Sequence, residues 1–168
     1  MSEPEPGPLA SPVCYAAEAD DVYMGYLGRD EVVAMLQELL QAERAGVRVG
    51  ARLSQTAPAP PLLAFARTIR DDEAHWCKVL SGALKRLGVK PSTKVGAFYG
   101  KVMALEGFEA RLALLDKGQS WVARRLEEAL PKIRDDQLHA ELKAMLEAHV
   151  ANIDLGRKAM QPAAPARR

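Results

Sequence analysis

Glu43, Glu73, Gln119 and His149 are the residues of this 168-residue chain whose types suit chemistry and whose spacing places them away from water. Each interrupts an apolar helical stripe. Leu62, Ala66, Ile69, Glu73, Trp76, Leu80, Leu84 and Leu87 recur with a period of about 3.6 residues, so Glu73 is predicted to point inward. A carboxylate taken out of water costs several kcal/mol unless it is neutralised, paired or bound to a metal. Glu43 lies in a similar stripe of Val32 or Val33, Leu36, Leu39, Leu40, Val47, Gly50 and Leu53. Gln119 sits among Leu105, Phe108, Leu112, Leu115, Val122 and Leu126, and His149 among Leu138, Leu142, Met145, Ile153, Gly156 and Met160. Two carboxylates, a carboxamide and an imidazole at one depth suit a divalent ion with oxygen and nitrogen ligands: iron, manganese or zinc.

Four long helices must position these groups. Asp30 and Glu31 supply a cap and a negative charge for a helix over about 31–55. Ala57-Pro-Ala-Pro-Pro61 then stops one helix and starts the next, over about 61–87, which closes at Gly88. Residues 89–95 form a connection expected to cross the end of the bundle. A third helix covers about 96–130, with Gly96, Gly100 and Gly107 weakening its start enough to make the first turns a separate short helix. Gly118, inside this helix, marks either close packing of a neighbour or a local bulge beside a site. Pro131 ends it, and Asp135 caps a last helix over about 136–159. Short hairpin links imply an all-α, antiparallel, up-down four-helix bundle over 30–160, in which mid-helix residues meet at similar depth. Residues 1–29, rich in proline, read as a flexible N-terminal arm, with Tyr23, Met24, Tyr26 and Leu27 lying on the bundle or on a partner. Residues 161–168 read as a disordered tail.

The bulk composition narrows the function classes. Lys and Arg total 23 against 22 Asp and Glu, scattered rather than gathered into a basic stripe, which argues against a nucleic-acid partner. Cys14 and Cys77 lack metal-ligand spacing and read as reduced thiols, Cys77 as core filling. The acidic, proline-rich start is unlike a signal peptide, and no apolar run reaches the ~18 residues that would suggest a membrane span. A cytoplasmic protein is expected. Phosphate loops, nucleophile elbows and zinc-binding cysteine clusters are missing from the sequence.

The polar set resembles the centre of the ferritin-like superfamily, where a Glu on each of two helices and a Glu-x-x-His pair on each of the other two hold a di-iron or di-manganese site. Glu43 matches the first-helix acid, Glu73 the acid of the second-helix pair, and His149 the last His. Trp76 stands where the superfamily has a His, Gln119 and Leu146 where it has acids. This reduced set implies a mononuclear or vestigial centre rather than a dinuclear one. Tyr23-Met-Gly-Tyr26, Asp72-Glu-Ala-His75 and Gly118-Gln-Ser-Trp121 are similar to a small, functionally uncharacterised bacterial family of ferritin-like domains, over roughly residues 20–158.

Two interpretations of the four residues stay open. In one they bind a metal ion, with Gln119 coordinating it or orienting a water. In the other they form a metal-free network, with a protonated His149 between Glu43 and Glu73, inside a non-enzymatic module that binds a partner or ligand. A shifted register would instead use Asp72 and His75, spaced as an acid-x-x-His pair but off the apolar line. His139 and Glu147 are expected in solvent, Trp76 and Trp121 in the core. A homodimer through one helix face is compatible with this architecture.

Overall fold

The first helix is capped at Gly28 rather than at Asp30. In the computed structural model, which describes residues 21–161, α1 spans Arg29–Thr56, and the Glu31 carboxylate reaches back to accept from the Gly28 N–H at 2.9 Å. The longer acid does the capping that the sequence assigned to Asp30, whose side chain is left exposed. α2 (Pro60–Arg86) opens on its prolines and ends at Gly88, whose φ of +72° turns the chain so that its N–H donates to the Lys85 carbonyl at 2.9 Å. The weak start of the third segment is indeed a separate helix, α3 (Phe98–Met103). Gly107, at φ +81°, separates it from α4 (Phe108–Ala129). A 3-10 turn at Leu130–Lys132 leads to α5 (Asp136–Ala159), capped by the Asp135 carboxylate, which accepts from the Leu138 N–H at 2.6 Å.

Each long helix packs antiparallel on two others. Along α1 and α2, Gly46 lies over Glu73, Gly50 over Ala66 and Arg70, and the Arg29 guanidinium donates to the Leu87 carbonyl at 2.7 Å. Between α2 and α5, the Phe65 ring lies on Gly156, and Arg86 pairs with Glu141 at 2.5 Å near the opposite end. α4 meets α5 through Arg157 and Asp116 at 4.0 Å and meets α1 through Arg125 and Glu38 at 3.1 Å. The backbones of α1 and α5, and of α2 and α4, stay apart as diagonals.

This order requires a connection different from the expected one. α2 and α4 run in the same direction, so residues 87–107 do not simply cross the end of the helices. They travel back along α1: Gln37 donates to the Lys90 carbonyl at 2.9 Å and accepts from the Ser92 N–H at 2.8 Å, then the Gly96 N–H donates to the Gln41 carbonyl at 2.9 Å. Farther on, the Arg48 guanidinium lies 5.9 Å from the centre of the Tyr99 ring. Helical periodicity has no term for the direction of a crossover. The up-down order is therefore corrected to one with a lengthwise return.

The apolar interior is split into two clusters. One gathers Leu36, Leu39, Leu40, Trp76, Leu80, Leu84, Val122, Leu126, Leu142 and Met145; the other gathers Val49, Leu53, Phe65, Ala66, Ile69, Leu112 and Leu115. On α1, α2 and α4 the sequence passes from one cluster to the other through Glu43, Glu73 and Gln119 respectively. Several inward assignments shift by a residue or two. Val49 is buried while Val47 is half-buried, and Asn152 is buried while Ile153 is half-buried. Met160 is exposed. Of the N-terminal arm, Tyr26 and Leu27 are half-buried, Leu27 donating its N–H to the Lys132 carbonyl at 2.9 Å, whereas Tyr23 and Met24 are exposed. Residues 1–20, with Cys14, and the tail from 162 onward lie outside the described residues. No helix among the described residues is long and apolar enough to cross a membrane.

Candidate metal centre

The four predicted polar residues converge in the layer between the two apolar clusters. All are buried, with exposures of 0% for Glu43, 3% for Glu73, 3% for Gln119 and 1% for His149. They meet along the two diagonals. Gln119 on α4 donates its Nε2 to Glu73 Oε1 on α2 in a short hydrogen bond, while His149 Nε2 on α5 lies 3.4 Å from Glu43 Oε1 on α1. One ligand atom from each of Glu43, Glu73 and His149 falls within 4.8 Å of the others.

Glycine makes the layer possible. A Cβ at Gly46 would stand 2.5 Å from Glu73 Oε2 and 2.7 Å from Oε1, closer than such atoms come. Its absence, one turn after Glu43, is the space that the second carboxylate occupies. Helical periodicity gives Gly46 no role, because a cradle formed by a neighbouring helix leaves no trace in it.

His149 is oriented as a ligand would be. Its Nδ1 lies 2.9 Å from the Met145 carbonyl. A carbonyl can only accept, so Nδ1 carries the proton, and in the neutral ring Nε2 presents a lone pair to the centre. Opposite it stands Glu43, whose oxygens are buried, accept from no N–H and have only the Glu73 carboxyl, when protonated, as a donor; His149 Nε2 is itself buried and unpartnered. A lone pair facing a carboxylate oxygen in a dry layer is repulsive unless a proton or a cation lies between them. The 3.4 Å gap is close to the edge of a tetrahedron built on metal–ligand bonds of about 2.1 Å, so Glu43 and His149 are spaced as two ligands of one ion, and the 4.8 Å span of the set requires Glu73 to move inward to join them.

The electrostatics of the ion-free layer follow from burial. Desolvation pushes the Glu43 carboxyl from 4.5 up to about 7, although its interaction with Glu73 pulls the other way. Glu73 is driven well above the usual carboxylate range, first by burial and then by the neighbouring Glu43 charge, against the opposing effects of His149 and Gln119. Cys77, half-buried next to this layer, is pushed up to about 12 by desolvation and by the Glu43 charge. The thiol packs against the apolar cluster of Leu80 and Leu84.

The layer also opens on one side. A pocket of about 570 Å³ between α1, α3 and α4 has Glu43, Glu73, Gly46 and Gln119 at its inner end, with Phe98, Leu114 and Trp121 along its walls. Trp121, expected in the core, is 37% exposed at this pocket, because it lies off the buried line of Leu115, Gln119, Val122 and Leu126 on α4. A Cβ on Gly118 would meet the Phe98 ring at 2.6 Å, so close packing explains this glycine. The Asp72 and His75 register gains no support: His75 is exposed, packed edge-on against the Trp76 ring with centroids 4.7 Å apart. Glu147 is exposed as expected, but His139 is half-buried.

A family model described as a domain of unknown function, DUF6306, matches residues 30–158, and the chain belongs to that family. No curated protein and no solved structure matches the chain.

Proposed function

We propose that this family member is a ferritin-like four-helix bundle that holds one divalent metal ion through Glu43, Glu73 and His149. One observation carries the reading: His149 Nε2 and Glu43 Oε1 are buried, 3.4 Å apart and not hydrogen-bonded to each other, while Nδ1 is tied to the Met145 carbonyl. Two oxygen donors and one nitrogen donor suit iron, manganese or zinc. Gln119 holds Glu73 in place from outside the ligand set, or its unpartnered Oε1 orients a water. When bound, such an ion supplies Lewis acidity, and iron or manganese adds electron transfer. The chain's own part is to exclude bulk water with two apolar clusters, fix the imidazole tautomer and leave open the side of the layer that faces the pocket.

The test is metal analysis of protein purified without an affinity tag, before and after reconstitution. One ion per chain in the wild type, lost in Glu43→Ala, Glu73→Ala and His149→Ala and kept in the exposed control His75→Ala, is the expected result. Metal-free wild type after loading with iron, manganese and zinc would sink the proposal.

The raised acids favour a second reading of the same layer. With Glu43 pushed to about 7 and Glu73 higher still, the pair can retain protons at neutral pH and form a metal-free network within a ligand-binding or partner-binding module. Metal analysis separates the two.

A further inference from the structure

The pocket beside the layer is lined in a way that selects its occupant. Its walls are apolar, from Phe98, Leu114 and Trp121, and its charged lining outside the layer consists of Lys101, Lys117 and Glu38. Glu38 is paired with Arg125 at 3.1 Å, whereas neither lysine side chain has an ion-pair partner among the described residues. Outside the polar layer the lining therefore carries a net positive charge, whereas Glu43 and Glu73 keep the inner end acidic. At the inner end, the Gln119 Oε1 and both Glu43 oxygens are buried and accept from no N–H. A site with apolar walls, unpaired cations and unsatisfied acceptors at its end has the composition of a small-molecule pocket.

From this lining we infer that the pocket binds a small organic anion with an apolar body. The acidic group sits between Lys101 and Lys117, the body lies against Trp121 and Phe98, and the far end approaches Gln119 and Glu43. Both lysines are exposed, so their attraction is screened by salt and acts on the anion mainly as selection between charged and neutral molecules. The meaning of the inner end rests on the metal-centre reading, since a molecule lodged there would be delivered to the bound ion. Occupancy of the pocket does not need the ion.

Two fluorescent probes test this on the full chain: anilinonaphthalene sulfonate, an anion with an aromatic body, and phenylnaphthylamine, its neutral counterpart. The sulfonate should bind saturably, one per chain, and change the fluorescence of Trp121. In the double variant Lys101→Glu and Lys117→Glu, its affinity should fall at least about tenfold while the neutral probe changes less than about twofold. Leu114→Trp, which fills the pocket, should remove both, with circular dichroism confirming the fold. No saturable binding to wild type, or binding of the sulfonate unchanged by the charge reversals, would overturn the inference. Metal content measured on the same samples keeps the two ideas apart. Probe binding without any metal removes only the metal centre; metal retained without probe binding removes only the pocket ligand.

Discussion

Glu43 Oε1 and His149 Nε2 face each other at 3.4 Å from opposite corners of the helix layer, and they are not hydrogen-bonded to each other. A protein that used these side chains for stability alone would gain by aligning a proton between them, or by replacing them with leucines. The stability cost of the arrangement is the measurable signature of a site.

Glu43→Gln should expose that cost. It keeps the shape and removes the acid, so at pH 8 the metal-free variant is expected to be more stable than metal-free wild type by about 1–3 kcal/mol, while its metal binding is lost. Urea unfolding with and without a chelator gives both numbers. A variant less stable than wild type at pH 8, yet still stabilised by metal, would contradict the assignment.

The raised acids fix the pH response of the metal-free protein. Glu43 keeps its proton to about pH 7 when folded, whereas in the unfolded chain it releases it near 4.5. Between those values the folded state binds more protons, so stability is full below the lower value and falls as pH rises toward the upper one. The loss from Glu43 is about 3 kcal/mol, and Glu73 adds to it in the same direction. Unfolding free energies at pH 5 and pH 8 should show the decline, and Glu43→Gln should flatten it.

Two glycine-to-alanine changes of the same chemistry should have opposite signs. Gly46→Ala drives a methyl group into the Glu73 carboxylate and is expected to cost about 1–3 kcal/mol and to abolish metal binding. Gly82→Ala, whose Cβ would meet only the Arg86 guanidinium at 3.7 Å, should instead stabilise α2 by about 0.5–1 kcal/mol and leave metal content unchanged. Thermal denaturation and metal analysis on the pair decide whether Gly46 is a cradle or merely a tolerated glycine.

Gln119→Leu removes the donor that holds Glu73 Oε1 without touching the other two acceptors. If Gln119 positions Glu73, metal affinity should drop about 10–100-fold without being lost, and Gln119→Asn should fall between. Competition titration with a chromophoric chelator measures this. An affinity equal to wild type would show that the amide has no part in the centre.

The depth of the polar layer was legible in the sequence because one inward polar residue stands in each long stripe, and a 3.6-residue period carries that information directly. Its diagonal pairing was not. Which helix faces which depends on the return of residues 87–107 along α1, and those residues make their contacts through backbone groups such as the Gly96 N–H and the Gln41 carbonyl. Trp121 was misplaced for a different reason. Its size suits a core, but it stands one residue before Val122 and two after Gln119, off the line that faces inward. Asn152 entered the buried set in place of Ile153, which a period read from one end of α5 does not resolve.

The return segment that hugs α1 furnishes Gly96, Ala97 and Phe98 to the mouth of the cleft, whereas the acids and the imidazole hang from long rods. One side of the doorway thus belongs to a stretch of chain apart from the rods that carry the acids and the imidazole. Substitutions in that short irregular strip can reshape this side of the threshold while the buried layer behind it keeps its residues.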